Sequence, residues 1–339
     1  MFSLEHIVDL PLVWYGLIGT AILLYVLLDG FDLGVGILFP FAPSDQCRDR
    51  MMNSVAPFWD GNETWLVLGG GGLFAAFPLA YAVLMPAFYF PIIFMLLGLV
   101  FRGVAFEFRF KASGKSRRLW DHAFHFGSII AGFMQGVVLG TFVQGISVEG
   151  RRFCGSAFDW LTPFSLMTGV ALVFGYALLG AGWLILKTDA ETRDWARKCA
   201  GYVWIYVAFF MGMVSLSMPF INKEVRKLWF ELPNFFYLMP LPLSASVMFF
   251  FLWKSLRDKN EYRPFFLGIG IFLTNYMGLG ISLWPWLVPF KISIWEAAAV
   301  PQSQSLLLVG TLFLLPLVLG YTAFSFYIFR GKVSHEGYY

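Results

Sequence analysis

Charge punctuates this chain. Reading Asp, Glu, Lys and Arg as stops leaves eight long runs that contain none of them: 10–28, 64–101, 122–148, 160–186, 199–222, 232–253, 264–290 and 297–329. A helix that crosses a bilayer needs about 20 predominantly apolar residues, and every run reaches or nearly reaches that length. Charged residues are 13% of the chain, about half the usual share for a soluble domain. Together with a mean hydropathy of +0.69, this excludes a soluble enzyme, a disordered chain and a fibrous repeat. The fold class that remains is an all-α polytopic membrane protein whose extramembrane parts are loops. A net charge of +3 is too small to imply a nucleic-acid partner.

The run 64–101 has 38 residues, too many for one crossing, and Phe77-Pro78 offers a turn near its middle. Splitting it predicts nine spans in a single transmembrane domain over 1–339, at about 12–39, 58–77, 80–106, 120–146, 161–186, 199–220, 236–256, 264–287 and 303–329. The loops after spans 1, 3, 5 and 7 and the C-terminal tail then carry 17 Lys and Arg, and the opposite side carries 6. Basic loops stay cytoplasmic, which puts the N-terminus outside and the C-terminus inside. Glu5 and Asp9 precede the first apolar run without a basic n-region or a small-residue cleavage site, so the first span is expected to be uncleaved. Cys47 and Cys199 fall inside and Cys154 outside, so Cys154 has no partner and the cytoplasmic pair stays reduced.

Ionisable groups within spans are costly and mark function by default. The inner part of span 1 reads Asp29-Gly30-Phe31-Asp32. Span 2 opens with Trp59-Asp60-Gly61-Asn62-Glu63-Thr64. Span 3 ends with Phe101-Arg102 and then Glu107, and span 4 opens with Trp120-Asp121-His122-Ala123-Phe124-His125. The orientation brings all of these to the cytoplasmic side. The i, i+3 spacings of Asp29/Asp32 and of Asp60/Glu63 put each pair on one helix face, and Arg102 is the only cation near them within a span. Three readings follow: a proton-uptake path, a buried ion-pair network that locks helices together, and a merely interfacial position for Glu63 and Glu107. Any single residue favours the structural role. Four carboxylates against one Arg exceed what pairing requires, and the excess points to function.

Gly30-x3-Gly34 in span 1 and Gly132-x3-Gly136-x3-Gly140 in span 4 allow close helix approach, to a helix of this chain or of a partner. Gly69-Gly70-Gly71-Gly72 weakens span 2; close packing is its simplest use. Of four histidines, His6 lies outside, His335 in the tail, and His122 and His125 share one face of span 4. An i, i+3 pair cannot ligate opposite faces of a haem; a single-His or Met-ligated haem stays open, with 13 Met in the chain, and interfacial hydrogen bonding is the expected role of the pair. No Cys/His metal spacing, P-loop or dinucleotide fingerprint is present.

The segment Asp29-Gly30-Phe31-Asp32-Leu33-Gly34-Val35-Gly36, then Trp59-Asp60-Gly61-Asn62-Glu63-Thr64-Trp65-Leu66 and Phe101-Arg102, resembles subunit II of cytochrome bd-type quinol oxidases. Asn222-Lys223-Glu224-Val225 and Ile294-Trp295-Glu296 extend the likeness over nearly the whole chain, and the compact loops resemble the cyanide-insensitive branch. The resemblance implies two four-helix bundles plus one peripheral helix, paired with a similarly folded subunit I. That partner would carry two b-type haems, one d-type haem and the quinol-oxidising loop, and this chain would bind no haem. The complex would sit in the bacterial cytoplasmic membrane, oxidise quinol and reduce oxygen with cytoplasmic protons, and so generate proton-motive force without pumping. Asp60 matches a carboxylate on a proton route at the subunit interface, with the residues matching Asp32 and Arg102 in the same polar cluster. Some members hold a structural quinone in subunit II, and some carry small single-span subunits. The rival reading, a proton- or cation-coupled secondary transporter, would use the same acids at a midplane site between repeats. A transporter stands alone, whereas an oxidase subunit co-purifies with a haem-bearing partner.

Overall fold

The computed structural model describes residues 9–333; His6, His335 and Glu5 lie outside them. Helix α1 (Leu10–Leu38) starts at Asp9, whose side chain accepts from the Leu12 amide. A short helix α2 (Asp45–Val55) follows, capped by Ser44, and then α3 (Trp59–Ala76). The chain turns at Phe77, and α4 (Pro78–Ala87) begins with proline in its first turn, where a missing N–H costs nothing. Helices α5 (Tyr89–Lys111), α6 (Gly114–Gln144), α7 (Pro163–Lys187) and α8 (Ala190–Ile221) come next. Two short helices, α9 (Lys223–Phe230) and α10 (Asn234–Leu238), lead to α11 (Pro240–Arg257) and α12 (Arg263–Leu283). Helix α13 (Ile294–Ala297) precedes α14 (Pro301–Ile328). The described strands form two small antiparallel hairpins, Val148–Glu149 with Arg152–Phe153, and Trp286–Val288 with Ile292–Ser293.

Among the described residues, eight helical segments are long and apolar enough to cross a membrane: Leu10–Phe41, α5, α6, α7, α8, Asn234–Arg257, α12 and α14. The expected third span at 80–106 is a correction. Its helix breaks at Phe88, because Pro91 cannot donate to the ladder across the break. Helix α4 packs instead against the two hairpins, and α5 is the segment long and apolar enough to cross. Helix α5 also runs past 106, so Arg109 is not a loop cation: it is fully buried.

Helix α1 is the axis of the fold. It packs against α3, α6 and α7, and α7 packs onward against α8 and α12. These contacts are close because small residues face each other. A Cβ on Gly34 would overlap the backbone of Tyr176 and Gly180; one on Gly136 would lie 2.6 Å from the Thr168 carbonyl oxygen. Gly30 and Gly132 border the Tyr176 ring, and Gly140 borders Ser165. The helix these glycines meet is therefore α7 of the same chain. In α3, Gly69 and Gly72 face Ile22 and Ile18 of α1, while Gly70 and Gly71 face open space.

Candidate functional site

The C-terminal end of α1 and the residue after it are buried on all sides, from Asp29 through Phe39. Within it, Asp29 and Asp32 are fully buried, as is Arg102 from α5. Arg102 Nη1 donates to Asp29 Oδ1 at 2.5 Å and Nη2 to Glu63 Oε2 at 2.9 Å. One guanidinium thus joins α1, α3 and α5, and charged donors make these hydrogen bonds strong ones. Asp32 takes a different partner: Asn62 Nδ2 donates to its Oδ2 at 2.7 Å and to the Leu28 carbonyl at 3.3 Å. Asp29 Oδ2, Asp32 Oδ1, Arg102 Nε and Trp65 Nε1 are buried without a hydrogen-bond partner.

The remaining predicted residues divide. Glu63 is half-buried, with 28% of its side chain exposed. Asp60, expected beside Arg102, is instead exposed at the start of α3, one turn before Glu63 and outside the Arg102 ion pairs. Trp59 makes no polar contact with the cluster; it stacks on Phe106 at 4.9 Å and lies over Gly103. Glu107 is a surface residue 3.9 Å from Lys111. His125 Nδ1 pairs with the Gly36 carbonyl at 3.1 Å, and His122 is exposed.

Three groups at or near the site do not stand out as ionisable residues inside an apolar run. Asn62 is neutral, yet it sits on the buried stripe Asn62, Trp65, Gly69, Gly72, Ala76 of α3, whose helical period was legible. One turn before Asp29, Tyr25 accepts from Gln135 Nε2 at 2.7 Å, and Gln135 Oε1 accepts from Tyr176 at 2.6 Å. A second buried network centres on Arg109, which donates to Asp49 at 2.7 Å and to Asp121 at 2.5 Å and lies over the Phe39 ring. Arg117 also pairs with Asp49. This network ties α2 to α5 and α6.

Among the described residues no group of three or more His, Cys, Asp or Glu is arranged to hold a metal ion. A model of the cytochrome bd terminal oxidase subunit II family matches residues 10–329. The chain belongs to this family. It is 30% identical to the cytochrome bd ubiquinol oxidase subunit 2 of Bacillus subtilis, over 95% of this chain and 96% of that one. It is 29% identical to the cytochrome bd-I ubiquinol oxidase subunit 2 of Escherichia coli K12, over 96% of each. A chain in the structure of the bd oxidase from Geobacillus thermodenitrificans shares its fold, with a TM-score of 0.75 at 17% identity over 95% of this chain and 99% of that chain. As subunit II of a bd-type quinol oxidase, the chain is part of a membrane complex with a haem-bearing subunit I. That complex oxidises quinol, reduces oxygen and generates proton-motive force. The secondary-transporter reading falls with this assignment.

Proposed function

We propose that Asp60, Glu63, Arg102, Asp29 and Asp32 form a route by which the oxidase takes up cytoplasmic protons for oxygen reduction, and that the chain otherwise supports subunit I. The observation that carries this reading is graded burial. Asp60 is exposed, Glu63 keeps 28% of its side chain exposed one turn further on, and Arg102, Asp29 and Asp32 are fully buried. An exposed acid can collect protons from water and inner acids can hold them out of solvent. Trp59, stacked on Phe106, walls the mouth of this route.

The same reading assigns α3 as a ninth span. Its 18 residues reach about 27 Å, close to the ~30 Å of a bilayer core, with Asp60–Thr64 at the aqueous end. Nine spans place the termini on opposite sides, and the bias of Lys and Arg, 16 to 6 once the buried Arg109 is left out, puts the C-terminus in the cytoplasm of a bacterial inner membrane. Helices α1, α3, α5 and α6 make one four-helix bundle and α7, α8, α11 and α12 the other. Helix α14, in which Gln304 alone is buried, is peripheral. Haem belongs to subunit I; lipid, a structural quinone and small single-span subunits are the further partners that the family resemblance implies.

The ion pairs of Arg102 also favour a structural lock between α1, α3 and α5. Asp60 separates the two roles because it lies outside those pairs. In Asp60→Asn, the assembled complex is expected to keep its haem content and fast haem reduction by quinol, while oxygen consumption with excess quinol slows at least several-fold. Wild-type turnover in an intact complex would end the claim that this route is required.

A further inference from the structure

The three inner carboxyl groups have unequal surroundings. Asp29 receives a guanidinium N–H at 2.5 Å, and Glu63 receives the other arm at 2.9 Å. Asp32 receives only a neutral amide N–H, from Asn62, and its second oxygen is buried with no partner. One guanidinium neutralises one carboxylate and shares a second that reaches water. A third anion, fully buried beside Asp29 on the same face of α1, would have no compensating charge, and burying an unpaired charge is far more costly than burying a neutral acid. The groups that act on Asp32 are Asp29 on α1, Asn62 and Glu63 on α3, and Arg102 on α5. Tyr176 from α7 and Gln135 from α6 reach Tyr25 on the Asp29 side, and His125 of α6 pairs with the Gly36 carbonyl.

Asp29 is supported from its other side. Tyr176 donates to Gln135 at 2.6 Å and Gln135 donates to the Tyr25 hydroxyl at 2.7 Å. Tyr25 and Tyr176 are both buried. Because the Tyr25 oxygen accepts from Gln135, its own hydrogen is left for Asp29, one helical turn away on the same face. Asp29 Oδ2 has no hydrogen-bond partner, so it is the acceptor open to that hydrogen. The amide in the middle of this chain relays protons poorly, so the chain orients Tyr25 rather than conducting.

We propose that Asp32 carries the exchangeable proton of the cluster, and that Tyr25, held by Gln135 and Tyr176, is a positioning residue that fixes Asp29 as the ionised partner of Arg102. The proton moves on and off an Asp32 oxygen, and no other bond changes. This inference rests on the proposed uptake route, and infrared difference spectroscopy separates the two. In redox-induced spectra of the assembled oxidase, one protonated-carboxyl C=O band that shifts in D2O is expected to disappear in Asp32→Asn and to remain in Asp29→Asn. Tyr25→Phe deletes one hydroxyl and is expected to add a second such band, from Asp29, with assembly unchanged. Survival of every carboxyl band in Asp32→Asn would overturn the assignment, as would loss of a band in Asp29→Asn. A Tyr25→Phe spectrum identical to wild type would overturn the role of Tyr25, and this variant carries the test if Asp29→Asn lowers assembly. Turnover of the same preparations reads the route itself. Asp32→Asn lacking the band but with full turnover would refute the route while leaving the proton on Asp32.

Discussion

At the scale of single residues, the cluster depends on donors as much as on charges. Asn62 supplies the one hydrogen bond Asp32 receives and also ties α3 to the Leu28 carbonyl. Replacing it with Leu, of similar volume, strips both and leaves a buried acid with no donor. The expected cost is about 1–3 kcal/mol, read as a lower melting temperature of the purified complex, together with slower turnover; an unchanged melting temperature would show that Asn62 supports nothing. Asp29, Asp32 and Arg102 were legible in the sequence because ionisable residues inside apolar runs stand out. Asn62 was not, since an amide carries no charge, and Asp60 could not be separated from Glu63 because equal helical spacing does not say which acid turns inward. Arg109 was hidden for a different reason. Its partners Asp49 and Asp121 come from α2 and α6, and only the folded chain shows that a cation at the end of an apolar run is buried between them.

At the scale of elements, small residues decide which helices can touch. Gly34 and Gly180 let α1 and α7 meet backbone to backbone, and Gly136 with Gly169 does the same for α6 and α7. Gly34→Leu would drive a side chain into the backbone at Tyr176, which cannot yield. The expected result is loss of most assembled complex, measured as haem-containing oxidase recovered per membrane. Gly201, on the exposed face of α8, has nothing within 4 Å of a Cβ, so Gly201→Ala is expected to give a wild-type yield; equal yields for the two variants would refute tight α1–α7 packing. The glycine spacing was legible as a packing signal, but the identity of the facing helix was not, because spacing describes only one side of a contact. The break at Phe88 was missed because charge marks span ends and α4 to α5 carries none before Arg102. Pro86 and Pro91 were the local signals for it.

At the scale of the whole molecule, the last helix is held at its two ends. Gln304 Nε2 donates to the Ala76 carbonyl at 3.0 Å at one end. At the other, Lys187 donates to the Phe329 carbonyl at 2.5 Å, and Lys332 and Arg193 both donate to Glu261 in the α11–α12 loop, at 2.8 and 2.5 Å. The hydrogen bond from Lys332, reinforced by the charges of Lys332 and Arg193, holds the Glu261 carboxyl below its usual value of 4.5. A depressed acid contributes stability that is fully present above its unfolded value and is lost as pH falls through the folded one. The melting temperature of wild type should therefore exceed that of Glu261→Gln near neutral pH, and the gap should close below about pH 4.5. A gap independent of pH would mean that charge on Glu261 is not what anchors the tail. The proposed passage of protons for oxygen reduction through the cluster in this subunit is tested most directly by proton uptake itself. Fully reduced assembled oxidase is mixed with oxygen, and uptake from solution is followed with a pH-sensitive dye alongside the haem spectrum. In Asp32→Asn, oxygen binding is expected at the wild-type rate and proton uptake is expected to lag well behind it. Uptake at the wild-type rate and full extent, in a complex with normal haem content, would contradict the account.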